Sequence, residues 1–260
     1  NRHLNIAPYD TAGEHLELER FIKLNTNESP FAPSPKAIKY AARAAENLNL
    51  YSDPDCTELI AKLAETFGVK PENILCGNGS DEILNFIFAA FCDDERGAAF
   101  PDITYSFYKV LANFHNINYA TPELDKDFKI NLDDYINNSR TSFIVNPNAP
   151  TGLFIKLDEI ERLLKSNLNN IVVIDEAYID FGAESAVKLI NKYENLIVVQ
   201  TFSKSRSLAG GRLGFAVANS NLINDLRAVK NSLAPYNINS MTQAAAIGAL
   251  EDEKYFEDNI

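Results

Sequence analysis

Lys204 stands in Thr201-Phe202-Ser203-Lys204-Ser205, directly after an apolar run at residues 195–200, and Arg212 follows in Ala209-Gly210-Gly211-Arg212. Such a run reads as a buried strand, so the lysine is released at a strand end, where its amine can act as a catalyst. Upstream, Ile171-Val172-Val173-Ile174-Asp175-Glu176-Ala177-Tyr178 repeats the arrangement, with an acid ending the β-branched run and a tyrosine shortly beyond it. Two neighbouring strands would deliver Asp175, Tyr178 and Lys204 to one edge. That set suits pyridoxal 5′-phosphate, whose aldehyde forms a Schiff base with a lysine and whose pyridine nitrogen an acid keeps protonated.

Gly77-Asn78-Gly79-Ser80-Asp81-Glu82 lies between a short strand and a helical pattern. Free backbone N–H groups and the positive end of a helix dipole favour a phosphate there, and two glycines let the chain approach closely. A nucleotide P-loop would need a lysine and Ser or Thr after the glycines, and a dinucleotide fingerprint a third glycine; neither is present. Taken alone, the segment also reads as a tight turn with Ser80 or Asp81 capping a helix. Asp175 alone also reads as a helix cap or a surface ion-pair partner, and Lys204 alone as a solvated lysine or a phosphate-binding point charge. The spacing from Asp175 to Lys204 accommodates one strand–helix–strand crossover, which puts both at the same edge of a parallel sheet, where ligands of open α/β sheets bind.

The elements that must hold these residues alternate. Segment 27–35 carries three prolines and is read as the end of an N-terminal arm, after which a helix opens at Pro35 and runs to about Leu48. A second helix spans Thr57 to Phe67, with Thr57 as N-cap and Gly68 as stop. Strands are expected at 74–76, 98–100, 118–121, 142–145, 171–174, 196–199 and 213–217. Helices are expected at 81–91, 106–114, 157–165, 186–192, 222–229 and from Thr242 onward. This order predicts an α/β fold of three layers, α/β/α, with a mostly parallel central sheet and helices on both faces. The division expected is an arm at 1–35, a large domain at 36–237, and at 238–260 the start of a helix leading to a small C-terminal domain that this chain does not include.

Among 260 residues, 36 are acidic and 24 basic, a formal charge of −12, which disfavours broad attraction to nucleic acid or anionic membrane. The three cysteines, Cys56, Cys76 and Cys92, form no C-x-x-C pair and are expected as reduced thiols in the cytosol. His3, His15 and His115 lie outside metal-ligand spacing, so no metal site is expected. No stretch reads as a signal peptide or a membrane span.

Several of these segments together resemble a fold-type I pyridoxal-phosphate aminotransferase, most closely the histidinol-phosphate aminotransferase family. The residues that carry the resemblance are Asn27 to Pro35, Tyr51-Ser52-Asp53-Pro54-Asp55, Gly77 to Glu82, Asn146-Pro147-Asn148-Ala149-Pro150-Thr151-Gly152, Asp175 to Tyr178, the Lys204 segment and Ala234-Pro235-Tyr236-Asn237. The resemblance implies an aspartate aminotransferase-like large domain and a cytoplasmic homodimer with shared active sites. It implies amino transfer between histidinol phosphate and 2-oxoglutarate within histidine synthesis. Lys204 would anchor the cofactor and move the proton, Asp175 would pair with the pyridinium, Tyr178 would donate to the phenolic oxygen, and Tyr105 would stack on the ring. Gly79, Ser80, Asp81, Ser203 and Arg212 would hold the phosphate, and Tyr51 would reach the phosphate of the neighbouring subunit. Three departures stand out: Ala149 replaces the asparagine before Pro-Thr-Gly, with Asn148 adjacent but on the other side of an extended segment. Phe31 replaces a tyrosine on the substrate side, and the small domain that supplies substrate-binding arginines has no counterpart. The alternatives left open are an aromatic amino acid aminotransferase, a phospho-amino-acid decarboxylase, and a cofactor-binding module without turnover.

Overall fold

The computed structural model describes residues 23–136 and 138–260. Residues 1–22 of the arm expected at 1–35, with His3 and His15, lie outside the described residues. Seven strands form one sheet in the order β1-β7-β6-β5-β4-β2-β3: β1 (Ile74–Gly77), β2 (Ala98–Ala99), β3 (Tyr119–Ala120), β4 (Thr141–Val145), β5 (Val172–Asp175), β6 (Leu196–Thr201) and β7 (Gly214–Ala218). Strands β3, β2, β4, β5 and β6 run parallel, whereas β7 lies antiparallel to both β6 and β1. The reversal has a local cause. Only a 3-10 turn at Ala209–Gly211 separates β6 from β7, with no α-helix to carry the chain across the sheet, so the connection turns it back antiparallel.

The strands are buried on both sides, and alternate residues serve opposite layers. Ile74, Ile144, Val172, Ile174, Val198 and Val217 pack toward a layer built by α1 (Pro35–Ala45), α2 (Thr57–Phe67), α5 (Leu157–Ser166) and α7 (Ser240–Leu250). Leu75, Phe143, Val173, Ile197, Val199 and Ala216 pack toward α3 (Ser80–Phe91), α4 (Phe107–Phe114) and α6 (Ser220–Leu233). The three-layer α/β/α expectation is therefore the observed architecture, and α8 (Glu253–Glu257) follows α7.

Helix α1 opens on Pro35, with the Ser34 hydroxyl accepting from Ala37 N at 3.1 Å. Helix α2 ends on Gly68 in the left-handed conformation at φ 64°. Its start corrects the expectation for Thr57: Cys56 occupies the cap position, and the Asp53 carboxylate accepts from Thr57 N at 2.7 Å. Segment 186–192 is a second correction, since its helical part is a 3-10 turn at Ala186–Leu189, opened by the Ser185 hydroxyl accepting from Val187 N. Cys56, Cys76 and Cys92 are buried free thiols.

Helices α1 and α7 approach closely because small residues face each other. A Cβ on Gly248 would lie 2.7 Å from the Lys36 carbonyl and 2.8 Å from Ala37 Cα. Gly248→Ala therefore forces two backbones apart. Overpacking of about 1–3 kcal/mol outweighs the gain in helix propensity of about 1 kcal/mol. The expected result is a lower thermal midpoint by several degrees in scanning calorimetry; an unchanged or raised midpoint would show that the interface yields freely.

Lys230 on α6 is 3 % exposed, and its Nζ donates to Pro54 O at 2.8 Å, Pro235 O at 2.9 Å and Asn231 Oδ1 at 3.3 Å. Three acceptors match the three donors of an ammonium. The group ties the loop that carries Tyr51 to the loop that carries Tyr236, and the two tyrosine rings stack with centroids 4.7 Å apart. Ser52 Oγ donates to Ile238 O at 2.7 Å and closes the same seam.

Candidate active site

Parallel pairing sets Asp175 beside Val199 in the β5–β6 register, so the two strands finish at one edge and release Asp175, Tyr178 and Lys204 there. Asp175 is 3 % exposed. Tyr108 Oη donates to its Oδ2 at 2.6 Å and Ala177 N to its Oδ1 at 3.2 Å. Burial pushes its carboxyl up to about 6 against the pull of these donors. The carboxylate therefore sits poised to hold a cation or a proton.

Lys204 lies just past β6, with Nζ donating to Thr26 O at 2.7 Å and standing 5.7 Å from the centre of the Tyr178 ring. Burial lowers its pKa from the ordinary lysine value and Arg212 adds to that, while Glu28 and Asp81 oppose it. The half-buried Tyr178 accepts at its hydroxyl from Asn27 Nδ2 at 3.0 Å. Asn27 thus stands on the tyrosine oxygen, a contact that the sequence reading did not anticipate.

At this same edge, α3 starts at Ser80 with Gly79 in the cap position at φ 84°, so neither Ser80 nor Asp81 is the cap. Gly79 has no side chain to satisfy the first-turn amides, which lack intrahelical partners in any helix. The Arg212 guanidinium lies against this turn: a Cβ on Gly79 would come 2.4 Å from Nη2, which is also 3.4 Å from Asp81 Oδ2. Arg212 itself has a left-handed backbone at φ 52°, a strained conformation that the surrounding turn must impose. Gly214 is required from behind, because its Cβ would meet Ser80 N at 2.2 Å. Buried Ser203 donates its backbone N–H to Thr201 Oγ1 at 3.1 Å, and its hydroxyl accepts from Thr201 Oγ1 at 3.0 Å. The first-turn amides of α3, the Arg212 cation and the Ser203 hydroxyl are of the types that suit a small dianion, although the Gly79 N–H itself donates to Gly77 O at 2.8 Å, and the Asp175 carboxylate and Lys204 amine at the same edge suit a protonated heteroaromatic ring bearing an aldehyde. The residues present therefore fit pyridoxal 5′-phosphate.

Tyr105 donates its hydroxyl to Asp81 Oδ1 at 2.9 Å and meets Tyr108 edge-on, with ring centres 5.8 Å apart. Tyr51 is 85 % exposed and stacks on Tyr236. Asn148 is fully engaged elsewhere: its Oδ1 accepts from Thr104 Oγ1 at 2.8 Å, and its Nδ2 donates to Ile103 O and Thr151 Oγ1. It therefore does not stand in for the asparagine that Ala149 replaces. The Glu82 carboxylate accepts from Asn78 N and Asn237 Nδ2, which joins the cradle loop to the Tyr236 loop. Tyr108 and Glu82 were not singled out from the sequence. A cavity of about 920 Å³ between α1, α2 and α7, bounded by Tyr40, Arg43 and Gln243, holds none of these groups, and the chemistry lies elsewhere.

Comparison with known proteins agrees with this arrangement. The family Aminotransferase class I and II matches residues 19–260. The chain is 48% identical over 257 residues to a histidinol-phosphate aminotransferase of Clostridium botulinum, covering 98% of this chain and 72% of that protein. It is 49% identical to a protein of the same name from Brachyspira hyodysenteriae, with 98% and 73% covered. Among solved structures, a histidinol-phosphate aminotransferase from Sinorhizobium meliloti in complex with pyridoxal-5′-phosphate superposes with a TM-score of 0.83 at 24% identity, covering 90% of this chain and 65% of that one. The enzyme of that name from Clostridium acetobutylicum gives 0.81 at 24%, with 90% and 71% covered, and both structures speak to the fold. With sheet order, lysine edge and anion cradle all in place, these matches show that the chain belongs to the class I and II aminotransferase family.

Proposed function

We propose that this chain is a pyridoxal-5′-phosphate-dependent transaminase that moves the amino group of histidinol phosphate to 2-oxoglutarate. The observation that carries the chemistry is the delivery of Asp175 and Lys204 by adjacent parallel strands to the edge where Gly79, Ser80 and Arg212 form an anion cradle. The substrate follows from identities of 48% and 49% to proteins of that name. Bound in the cradle, the cofactor supplies an electron sink for charge developing at the donor's α-carbon.

The chain's own residues do the rest. Amides of Gly79, Ser80 and Asp81, the Ser203 hydroxyl and the Arg212 guanidinium would hold the phosphate, the Gly79 amide by leaving Gly77 O, to which it donates at 2.8 Å. Asp175 would hold the proton at the ring nitrogen, and Tyr178, whose hydroxyl Asn27 Nδ2 contacts at 3.0 Å, would donate to the phenolic oxygen. Tyr105 would stack on the ring. Lys204 anchors the cofactor and then, as a neutral amine, takes the proton from the α-carbon and returns it. Its buried setting favours that neutral form.

The reading includes a homodimer, supported by Tyr51 and Tyr236 exposed as a stacked pair beside Leu48, Leu50 and Leu233. Tyr51 would complete the phosphate site of the second copy. The site works in a cytoplasmic enzyme, and no helix among the described residues is long and apolar enough to cross a membrane.

Steady-state assays with histidinol phosphate and phenylalanine as donors test the substrate. Higher kcat/KM for histidinol phosphate is expected; preference for phenylalanine would assign the site to aromatic amino acids, with Phe31 lining it. Release of carbon dioxide from a phosphorylated amino acid would replace transfer with decarboxylation.

A further inference from the structure

We infer that Tyr108 is a positioning residue that sets both the orientation and the ionisation of Asp175. The inference rests on the proposed pairing of Asp175 with the ring nitrogen and adds a group that works behind it.

The geometry is specific. Asp175 takes one hydrogen bond on each oxygen, from Ala177 N two residues along the chain and from Tyr108 Oη across the layer in α4, at 3.2 and 2.6 Å. The first comes with the local turn. The second depends on one side chain, and it stops rotation about the Asp175 Cβ–Cγ bond. Each oxygen keeps a lone pair for a further donor. The Tyr108 ring is itself immobilised, with ring centres of Phe143, Phe100 and Tyr105 at 5.5, 5.6 and 5.8 Å. Phenylalanine would fill that space equally well, so packing alone does not call for the hydroxyl.

The charged and titratable groups facing Asp175 are Tyr108 from α4 and Asp81 from α3, and Tyr105 engages Asp81 rather than Asp175. Burial and Asp81 both favour the neutral carboxyl, while the hydroxyl and the Ala177 amide favour the carboxylate. Burial first, then the carboxylate beside it, push the Tyr108 phenol well above its ordinary value, so it stays a donor throughout the working pH range. A carboxylate made less basic by this donor leaves a shared proton on the ring nitrogen instead of drawing it onto Asp175. Tyr108 thereby favours the charged ring that the reaction needs.

The test is a carboxyl carbon-13 titration of the cofactor-free protein, with the Asp175 signal assigned by its absence in Asp175→Asn. The midpoint near 6 in the parent protein is expected to rise by about one pH unit in Tyr108→Phe, the loss of one charge-assisted hydrogen bond. In the loaded enzyme the acid limb of kcat/KM moves the same way, and KM for the amino donor is unchanged. A residue that merely packs would lower the melting temperature and leave both titrations in place. Should Tyr108→Phe fail to fold, 3-fluorotyrosine at position 108 keeps the shape and donates more strongly, and the midpoint is expected to fall. A folded protein whose Asp175 midpoint stays put under either change overturns the inference. Failure of the parent chain to retain pyridoxal phosphate would overturn the proposed cofactor and leave this titration standing, so the two failures are told apart.

Discussion

Lys204→Ala is expected to leave a folded protein that retains no pyridoxal phosphate after borohydride reduction and transfers amino groups about 10⁴-fold more slowly, the upper range for a positioned general base. The amine is already poised, donating to the Thr26 carbonyl at 2.7 Å in a setting whose burial favours its neutral form. Its action as a base requires loss of its proton, so turnover in the parent enzyme rises with pH through a midpoint below the ordinary lysine value. Lys204→Arg does not restore the rate, because a guanidinium keeps its proton. Added methylamine restores part of the rate to Lys204→Ala by supplying a diffusible base. Full turnover in Lys204→Ala, or reduction that fixes the cofactor to Lys23 or Lys109, would move the chemistry away from this strand end.

Gly214→Ala is the second large effect, and it acts without touching a reacting group. The new methyl would fall 2.2 Å from Ser80 N and 2.5 Å from Gly79 C, inside the backbone of the anion cradle. Strand β7 and the start of α3 must separate, and a displacement of about 1 Å at a positioned site costs on the order of 10²-fold. The loss is expected in affinity for pyridoxal phosphate and not for pyridoxal, because the displaced amides face the phosphate. Fluorescence titration with both compounds reads this directly. Equal loss for both, or loss for neither, would show that these amides do not hold the phosphate. Adding a methyl to a filled space also costs about 1–3 kcal/mol of stability, so both titrations belong well below the melting transition.

Elements with strong local signals were legible in the sequence. Helix α2 runs over Thr57–Phe67 as expected, because its apolar period and the left-handed stop at Gly68 are written in adjacent residues. The Asp175 and Lys204 edge was legible because both follow β-branched runs at a crossover spacing. Strand direction was harder to read: Gly214–Ala218 is as apolar as its parallel neighbours, and periodicity reports burial without polarity. The cap at Cys56 was hidden because the acceptor, Asp53, sits four residues before the amide it serves. Tyr108 looked like one more aromatic on an amphipathic helix, since its partner lies 67 residues away in the chain. Long-range polar contacts leave no local pattern, and Asn27 on Tyr178, 151 residues distant, is another such contact.

The ammonium of Lys230, enclosed by Pro54, Pro235 and Asn231, has a chemical signature of its own. An amine-reactive reagent added to the native protein meets exposed lysines such as Lys188 and Lys254 at once, whereas Lys230 becomes available only when the seam between the two tyrosine loops opens. Its rate of acylation, followed residue by residue in a mass spectrometer, is therefore a clock for breathing of that seam.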